Sequence, residues 1–198
     1  MNLPNKISLT RICMIPIFVL VFFLNFIPFH FAIAAVIFAV AAFTDFIDGK
    51  IARSRGLVTN LGKFLDPIAD KVLVSTAMIV LLTMQESLFG MLAWGEGWLY
   101  VATAVCICII MARELIISAF RQIAAANGII MAAEKLGKYK TACQDAAIFV
   151  LILAADIPAP AGQVFAIIGF VLFAAATVLT ILSGISYVVK NKQVLKDN

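Results

Sequence analysis

Apolar residues run along this chain in six long blocks, read as 9–27, 31–52, 67–84, 98–124, 140–156 and 161–188. Most are continuously apolar over close to 20 residues, about the length an α-helix needs to cross a bilayer. The short alternating segments of a transmembrane barrel are absent. The pattern predicts an all-α polytopic membrane bundle of six transmembrane helices. Residues 2–8 are polar and mildly amphipathic, and they predict a short N-terminal interfacial segment leading into the first helix. No small-residue cleavage site clearly follows the first block, so it is not read as a removable signal.

The connections between blocks differ in kind. The turn near Pro28–His30 is tight, and 53–66 is polar and basic. The stretch 85–97 carries Glu86 and Glu96, with Trp94 and Trp98 at the interface. The stretch 125–139 is basic and 156–160 is short. Pro67 is expected in the first turn of the third helix, where its missing N–H is not needed. Within 198 residues there is no room for a separate soluble domain, so residues 1–198 are expected to form one membrane domain.

Composition agrees: 64% of the residues are hydrophobic, a level few soluble domains reach. Charge adds orientation. Under the six-span scheme all fifteen Lys and Arg fall on one side, while the opposite connections hold Glu86, Glu96 and Asp156. Lys/Arg bias sets topology, so both termini and the 53–66 connection are expected to face the cytoplasm. The net charge of +4 is then no sign of nucleic-acid binding; it suits a surface lying on anionic lipid and handling anionic substrates. The cysteines (Cys13, Cys106, Cys108, Cys143) form no metal-binding spacing and are expected as small buried hydrophobes. His30 has no second imidazole near it. The alanines of the second block (Ala32, Ala34, Ala35, Ala39, Ala41 and Ala42) are expected to pack within the monomer, with a dimer seam as the alternative.

Four of the eleven acidic residues fall between positions 45 and 70. Asp45 and Asp48 are three apart, and Asp66 and Asp70 are four apart, so each pair shares a helix face. The chain can return through the intervening connection, so that the two pairs face each other. A carboxylate inside the bilayer costs roughly 2.5–3.5 kcal/mol even on a lenient insertion scale, and four together would repel. Two readings stand on spacing alone. Hard divalent cations could be clamped by these oxygens, a device used in phosphoryl chemistry. Alternatively, Lys50, Arg53, Lys63 and Lys71 could pair with the aspartates at the interface.

The residues Asp45, Asp48, Gly49, Ala52, Arg53, Gly62, Asp66 and Asp70 fit D-x2-D-G-x2-A-R-x8-G-x3-D-x3-D without a departure. In this the chain resembles the CDP-alcohol phosphotransferases, integral membrane enzymes. The resemblance implies a CDP-linked substrate and two divalent ions, Mg²⁺ or Mn²⁺. It implies that Asp45, Asp48, Asp66 and Asp70 ligate metal and that Asp70 is also the general base. Gly49, Ala52, Arg53 and Gly62 would shape the pocket for the cytidine and its diphosphate, and Asn5, Thr10 and Arg11 could line its nucleotide end. A homodimer is implied as well.

Four further segments, N-L-P-N-K-I-S-L-T-R-I, A-R-E-L-I-I-S-A-F-R, L-G-K-Y-K-T-A-C-Q and T-I-L-S-G-I-S-Y, resemble the bacterial phosphatidylglycerophosphate synthases of that family. The reaction implied is transfer of the phosphatidyl group of CDP-diacylglycerol to sn-glycerol 3-phosphate at the bacterial cytoplasmic membrane. A phosphorylated acceptor needs cations, and the candidates are Arg113, Arg121, Lys135, Lys138 and Lys140. Arg113 could instead pair with Glu114. Thr141 and Gln144 are polar candidates on the face of the fifth helix. The rival within the family is another acceptor: inositol phosphate, serine or phosphatidylglycerol. The rival outside it is a divalent-metal transporter, against which the placement of the aspartates at a span end rather than the midplane argues.

Overall fold

Each apolar block folds as one α-helix. The structure, a computed structural model, describes residues 3–54, 60–92, 95–126 and 135–192; the side chains of 3–5, 45–54, 60, 61, 63, 64, 96, 126 and 135 lie outside the described residues. The helices are α1 Leu3–Phe23, α2 His30–Ser54, α3 Asn60–Leu81, α4 Glu96–Ala126, α5 Lys135–Ala154 and α6 Ala161–Lys190, with one π-helical turn at Gln85–Phe89. There is no strand among the described residues.

Among the described residues, three helices are long and apolar enough to cross a membrane: Lys6–Phe23 in α1, Gly97–Ala125 in α4 and Ala161–Lys190 in α6. The chain is thus an integral membrane protein. Of the six transmembrane helices expected, these three are supported among the described residues. The others carry charge at one end: Asp45, Asp48 and Lys50 in α2, Lys63, Asp66, Asp70 and Lys71 in α3, and Lys135, Lys138 and Lys140 in α5. In α2 the described side chains form the apolar stretch His30–Thr44, and Phe46 and Ile47 continue it in the sequence.

Several boundaries depart from the pattern reading. No break separates an interfacial segment at 2–8 from the first span, because α1 runs unbroken from Leu3. Ser8 and Arg11 are buried against neighbouring helices, which carries this end into the bundle. α1 stops at Phe23 rather than 27, since the turn holding Pro28 takes up residues 24–29. α3 begins at Asn60, seven residues before the predicted start, so Pro67 lies inside the helix and not in its first turn. Its ring leaves the carbonyl of residue 63 without an N–H donor, a loss that helices within a packed membrane bundle tolerate. The connection expected at 53–66 shrinks to 55–59, outside the described residues. Lys135, Lys138 and Lys140 belong to α5 itself and do not precede it.

The core draws on all six helices and on the π-helical turn. Phe18, Phe22 and Phe38 join Ala34, Ala35 and Ala41 there, so these three alanines of α2 pack within the monomer, while Ala32, Ala39 and Ala42 are only partly buried. Phe26 and Phe43 are exposed instead. The cysteines are not buried as expected: Cys13 and Cys108 are exposed, Cys106 and Cys143 partly so. Lipid is as apolar as the core, so nothing drives such a side chain inward. At the end of the bundle away from the aspartates, Asp156 Oδ2 accepts the Ala32 N–H at 2.7 Å and caps one of the orphan donors that open α2.

α5 and α6 approach most closely, and Gly169 permits it. A Cβ at Gly169 would stand 2.7 Å from Leu151 Cγ and 3.3 Å from the Leu151 backbone nitrogen. Gly169→Val is therefore expected to destabilise by about 1–3 kcal/mol through overpacking. Thermal unfolding in detergent checks this; an unchanged midpoint would show that the two helices can part without loss.

Candidate active site

One end of the bundle gathers the polar residues. Ser8 of α1 donates its hydroxyl to Asp66 Oδ1 of α3. Arg11, fully buried, donates through Nε to the Ala41 carbonyl of α2 at 3.2 Å and lies 3.5 Å from Thr44 Oγ1. Lys71 of α3 donates to Ser118 Oγ of α4, and Ser118 in turn donates to the Glu114 carbonyl at 2.6 Å. Lys140 of α5 reaches Glu114 Oε1 at 2.8 Å. Arg113 of α4 donates to Ser183 Oγ of α6 at 3.0 Å. All six helices are thus linked at this end by polar side chains; the bond from Arg11 to Ala41 is buried and the others are partly buried.

Asp66 and Asp70, partly buried, sit one turn apart on α3. The helix of α2 runs through Asp45 and Asp48, but their side chains lie outside the described residues, as do those of Gly49, Ala52, Arg53, Asn5 and Lys135. The facing of the two carboxylate pairs therefore falls outside the described residues too. Gly62 is buried in the first turn of α3.

Below Asp70 a cavity of about 90 Å³ opens between α3, α4 and α5. Its polar lining is Asp70, Lys71, Ser75, Glu114, Lys140, Thr141, Gln144 and Asp145. The apolar side is closed by Val74, Met78, Met111 and Leu115. Sites for drug-sized ligands run to roughly 300–1,000 Å³, so this one suits a small polar molecule and not a lipid.

Glu114 organises the basic residues. Its Oε1 accepts from Arg113 Nη1 and from Lys140 Nζ, each at 2.8 Å. Lys140 is almost fully buried, and its charge is balanced there by Glu114. The two α4 arginines turn toward α6. Gly184 leaves room for Arg113, whose Cγ would lie 3.1 Å from any Cβ there. Arg121 donates to Tyr187 Oη at 3.1 Å and stacks its guanidinium 5.1 Å from that ring. Such cation–π contacts add to the hydrogen bond.

Residues 1–184 match the family model for CDP-alcohol phosphatidyltransferase. The chain belongs to the CDP-alcohol phosphatidyltransferase family. Its relatives match it along nearly their whole length. The CDP-diacylglycerol–glycerol-3-phosphate 3-phosphatidyltransferase of Bacillus subtilis (strain 168) is 36% identical over 210 residues, covering 98% of this chain and 97% of the relative. The protein of the same name from Shigella flexneri serotype 5b (strain 8401) is 39% identical over 188 residues, covering 94% and 92%. That of Rickettsia bellii (strain RML369-C) is 35% identical over 187 residues, covering 94% and 93%.

Within this phosphatidyltransferase chain, the structure brings Asp70 and Lys140 into one cavity and sets Asp66 beside it on α3. Arg113 touches the cavity only through Glu114, and Arg121 faces Tyr187. Lys138 is exposed on α5, and Thr10 is exposed with its hydroxyl turned back to the Lys6 carbonyl of its own helix. Sequence reasoning missed Ser8, Ser118 and Asp145 as members of the site, and named Lys71 only as a possible partner of the aspartates. Lys71 and Asp145 each directly follow a residue that was singled out, Asp70 and Gln144. Ser8 and Ser118 lie within two of the segments that resemble the bacterial synthases, but nothing local points to their partners, which are 58 and 47 residues away.

Proposed function

We propose that this chain transfers the phosphatidyl group of CDP-diacylglycerol to sn-glycerol 3-phosphate, giving phosphatidylglycerol phosphate and CMP. The observation that carries this reading is the cavity in which Asp70 meets Lys71 and Lys140, in a chain that matches full-length relatives bearing that activity in their names. A carboxylate next to two ammonium groups suits an acceptor that must lose a hydroxyl proton and hold a phosphate.

In this mechanism the acceptor's attacking hydroxyl gives its proton to the Asp70 carboxylate. Its oxygen forms a bond to the β-phosphorus of the CDP-lipid. The bond from that phosphorus to the bridging oxygen of CMP breaks, and CMP leaves with the electron pair. Lys140 and Lys71 hold the acceptor phosphate, with Arg113 oriented behind them by Glu114; Arg121, Lys138 and Lys135 add positive potential at the same end. Gly49, Ala52, Arg53 and Gly62 shape the nucleotide pocket, with Asn5, Thr10 and Arg11 at its margin.

Asp66 and Asp70 offer hard carboxylate oxygens one turn apart, a donor set that fits Mg²⁺ or Mn²⁺. Asp45, Asp48, Asp66 and Asp70 would hold two such ions, which when bound would neutralise the diphosphate and the charge developing on CMP.

All six helices span in this reading, since α2, α3 and α5 are 25, 22 and 20 residues long. The Lys/Arg distribution supports placing both termini and the site on the cytoplasmic side of the bacterial inner membrane, with residues 1–198 as one domain. The family resemblance supports a homodimer.

An acceptor panel tests the choice of alcohol. The purified protein with CDP-diacylglycerol and Mg²⁺ or Mn²⁺ is expected to release CMP with glycerol 3-phosphate. CMP release with serine or inositol phosphate, and none with glycerol 3-phosphate, would overturn it.

A further inference from the structure

Gln144 presents a buried acceptor that the reaction as written leaves unused. The residue is 2% exposed and lines the cavity with Asp70 and Lys140. Its amide nitrogen points at Met78 Sδ, 3.6 Å away, and a thioether sulfur can only accept. That fixes the oxygen on the other side, where Gln144 Oε1 has no hydrogen-bond partner among the described residues. A buried acceptor left without a donor is destabilising, and one in a native structure calls for an explanation.

We propose that Gln144 is a specificity-determining residue whose Oε1 accepts a hydrogen bond from the acceptor's second, non-attacking hydroxyl. The proposal rests on the acceptor reading above. The chemistry divides the acceptor among the lining groups. Asp70 takes the proton of the attacking hydroxyl, and the ammonium groups of Lys71 and Lys140 suit the phosphate. An amide oxygen would repel phosphate oxygens, so its partner must be a donor, and the second hydroxyl is what remains. Thr141, one turn earlier on α5, lines the same cavity, but it donates its hydroxyl proton to the Gly137 carbonyl at 3.1 Å and so is no donor to Gln144; Asp145 Oδ1 is a second buried acceptor there, on a charged carboxylate, whereas Gln144 offers a neutral one. A site that hydrogen-bonds a substrate hydroxyl rejects the analogue lacking it.

The test compares glycerol 3-phosphate with 3-hydroxypropyl phosphate, which lacks the middle hydroxyl, using the full chain in detergent micelles with CDP-diacylglycerol. The wild type is expected to favour glycerol 3-phosphate in kcat/KM by about tenfold or more. Gln144→Met is expected to erase that preference, to leave KM for CDP-diacylglycerol unchanged, and to unfold at no lower a temperature than the wild type. A structural glutamine would show the opposite stability result. Equal use of the two acceptors by the wild type would overturn the proposal without any variant. So would a variant that keeps the preference, or one that loses both acceptors equally. If the wild type releases no CMP with glycerol 3-phosphate, the acceptor reading itself falls; if it does and the variant still discriminates, only the role of Gln144 falls.

Discussion

Asp70→Asn is expected to lower turnover by at least about a hundredfold while binding of the CDP-lipid changes little. Asn keeps the size and shape of the carboxylate but cannot take a proton, and general-base contributions run to about 10²–10⁴. Asp70 lines the cavity beside Lys71 and Lys140, where the acceptor hydroxyl would sit. The variant also loses one anionic donor, so the assay should be repeated across a range of Mg²⁺ and Mn²⁺ concentrations. A rate restored by metal would assign the loss to ligation, and a near-normal rate throughout would remove Asp70 from the base role.

The second large effect is expected at Glu114. Its carboxylate is the shared counter-charge of Arg113 and Lys140, whose side chains are 16% and 5% exposed. Removing one member of such a buried arrangement leaves an uncompensated charge and costs about 3 kcal/mol or more. Glu114 is itself 29% exposed, which holds Glu114→Gln toward the lower end of that range. Lys140→Met in the same background is expected to restore part of the loss, since it removes the deepest of the stranded charges. Thermal unfolding of the two single variants and the double gives the coupling directly. Strictly additive losses would mean that Glu114 and Lys140 do not support one another.

These two residues differ in how far sequence alone reveals them. Asp70 is legible, because its four-residue spacing from Asp66 survives in any helix that contains both. Glu114 is half legible. Its adjacency to Arg113 is plain, but Lys140 lies 26 residues on and arrives only through the tertiary fold, in which α5 packs on α6, α2 and α3. The same contrast runs through the fold. α4 and α6 fall within two residues of the apolar blocks that predict them, because each block ends where polar residues begin. α3 does not. Its first seven residues, N-L-G-K-F-L-D, look like a loop by polarity, yet they form helix, with Gly62 turned into the protein. Hydrophobic patterning reads which residues face lipid; it is blind to polar residues that face a reaction centre. Pro67 reinforced the error by marking a helix start that lies a full two turns earlier.

The reaction proposed for this chain is one displacement at phosphorus, with Asp70 as base and no phosphatidyl–enzyme intermediate. The measurement that tests it most directly is the configuration of the transferred phosphorus, followed with CDP-diacylglycerol made chiral at the β-phosphate and glycerol 3-phosphate as acceptor. Inversion, with one CMP released per phosphatidylglycerol phosphate formed, is the predicted result. Retention would require two successive displacements and a covalent carboxylate or serine intermediate, and would contradict the assignment of Asp70 as the base of a direct attack.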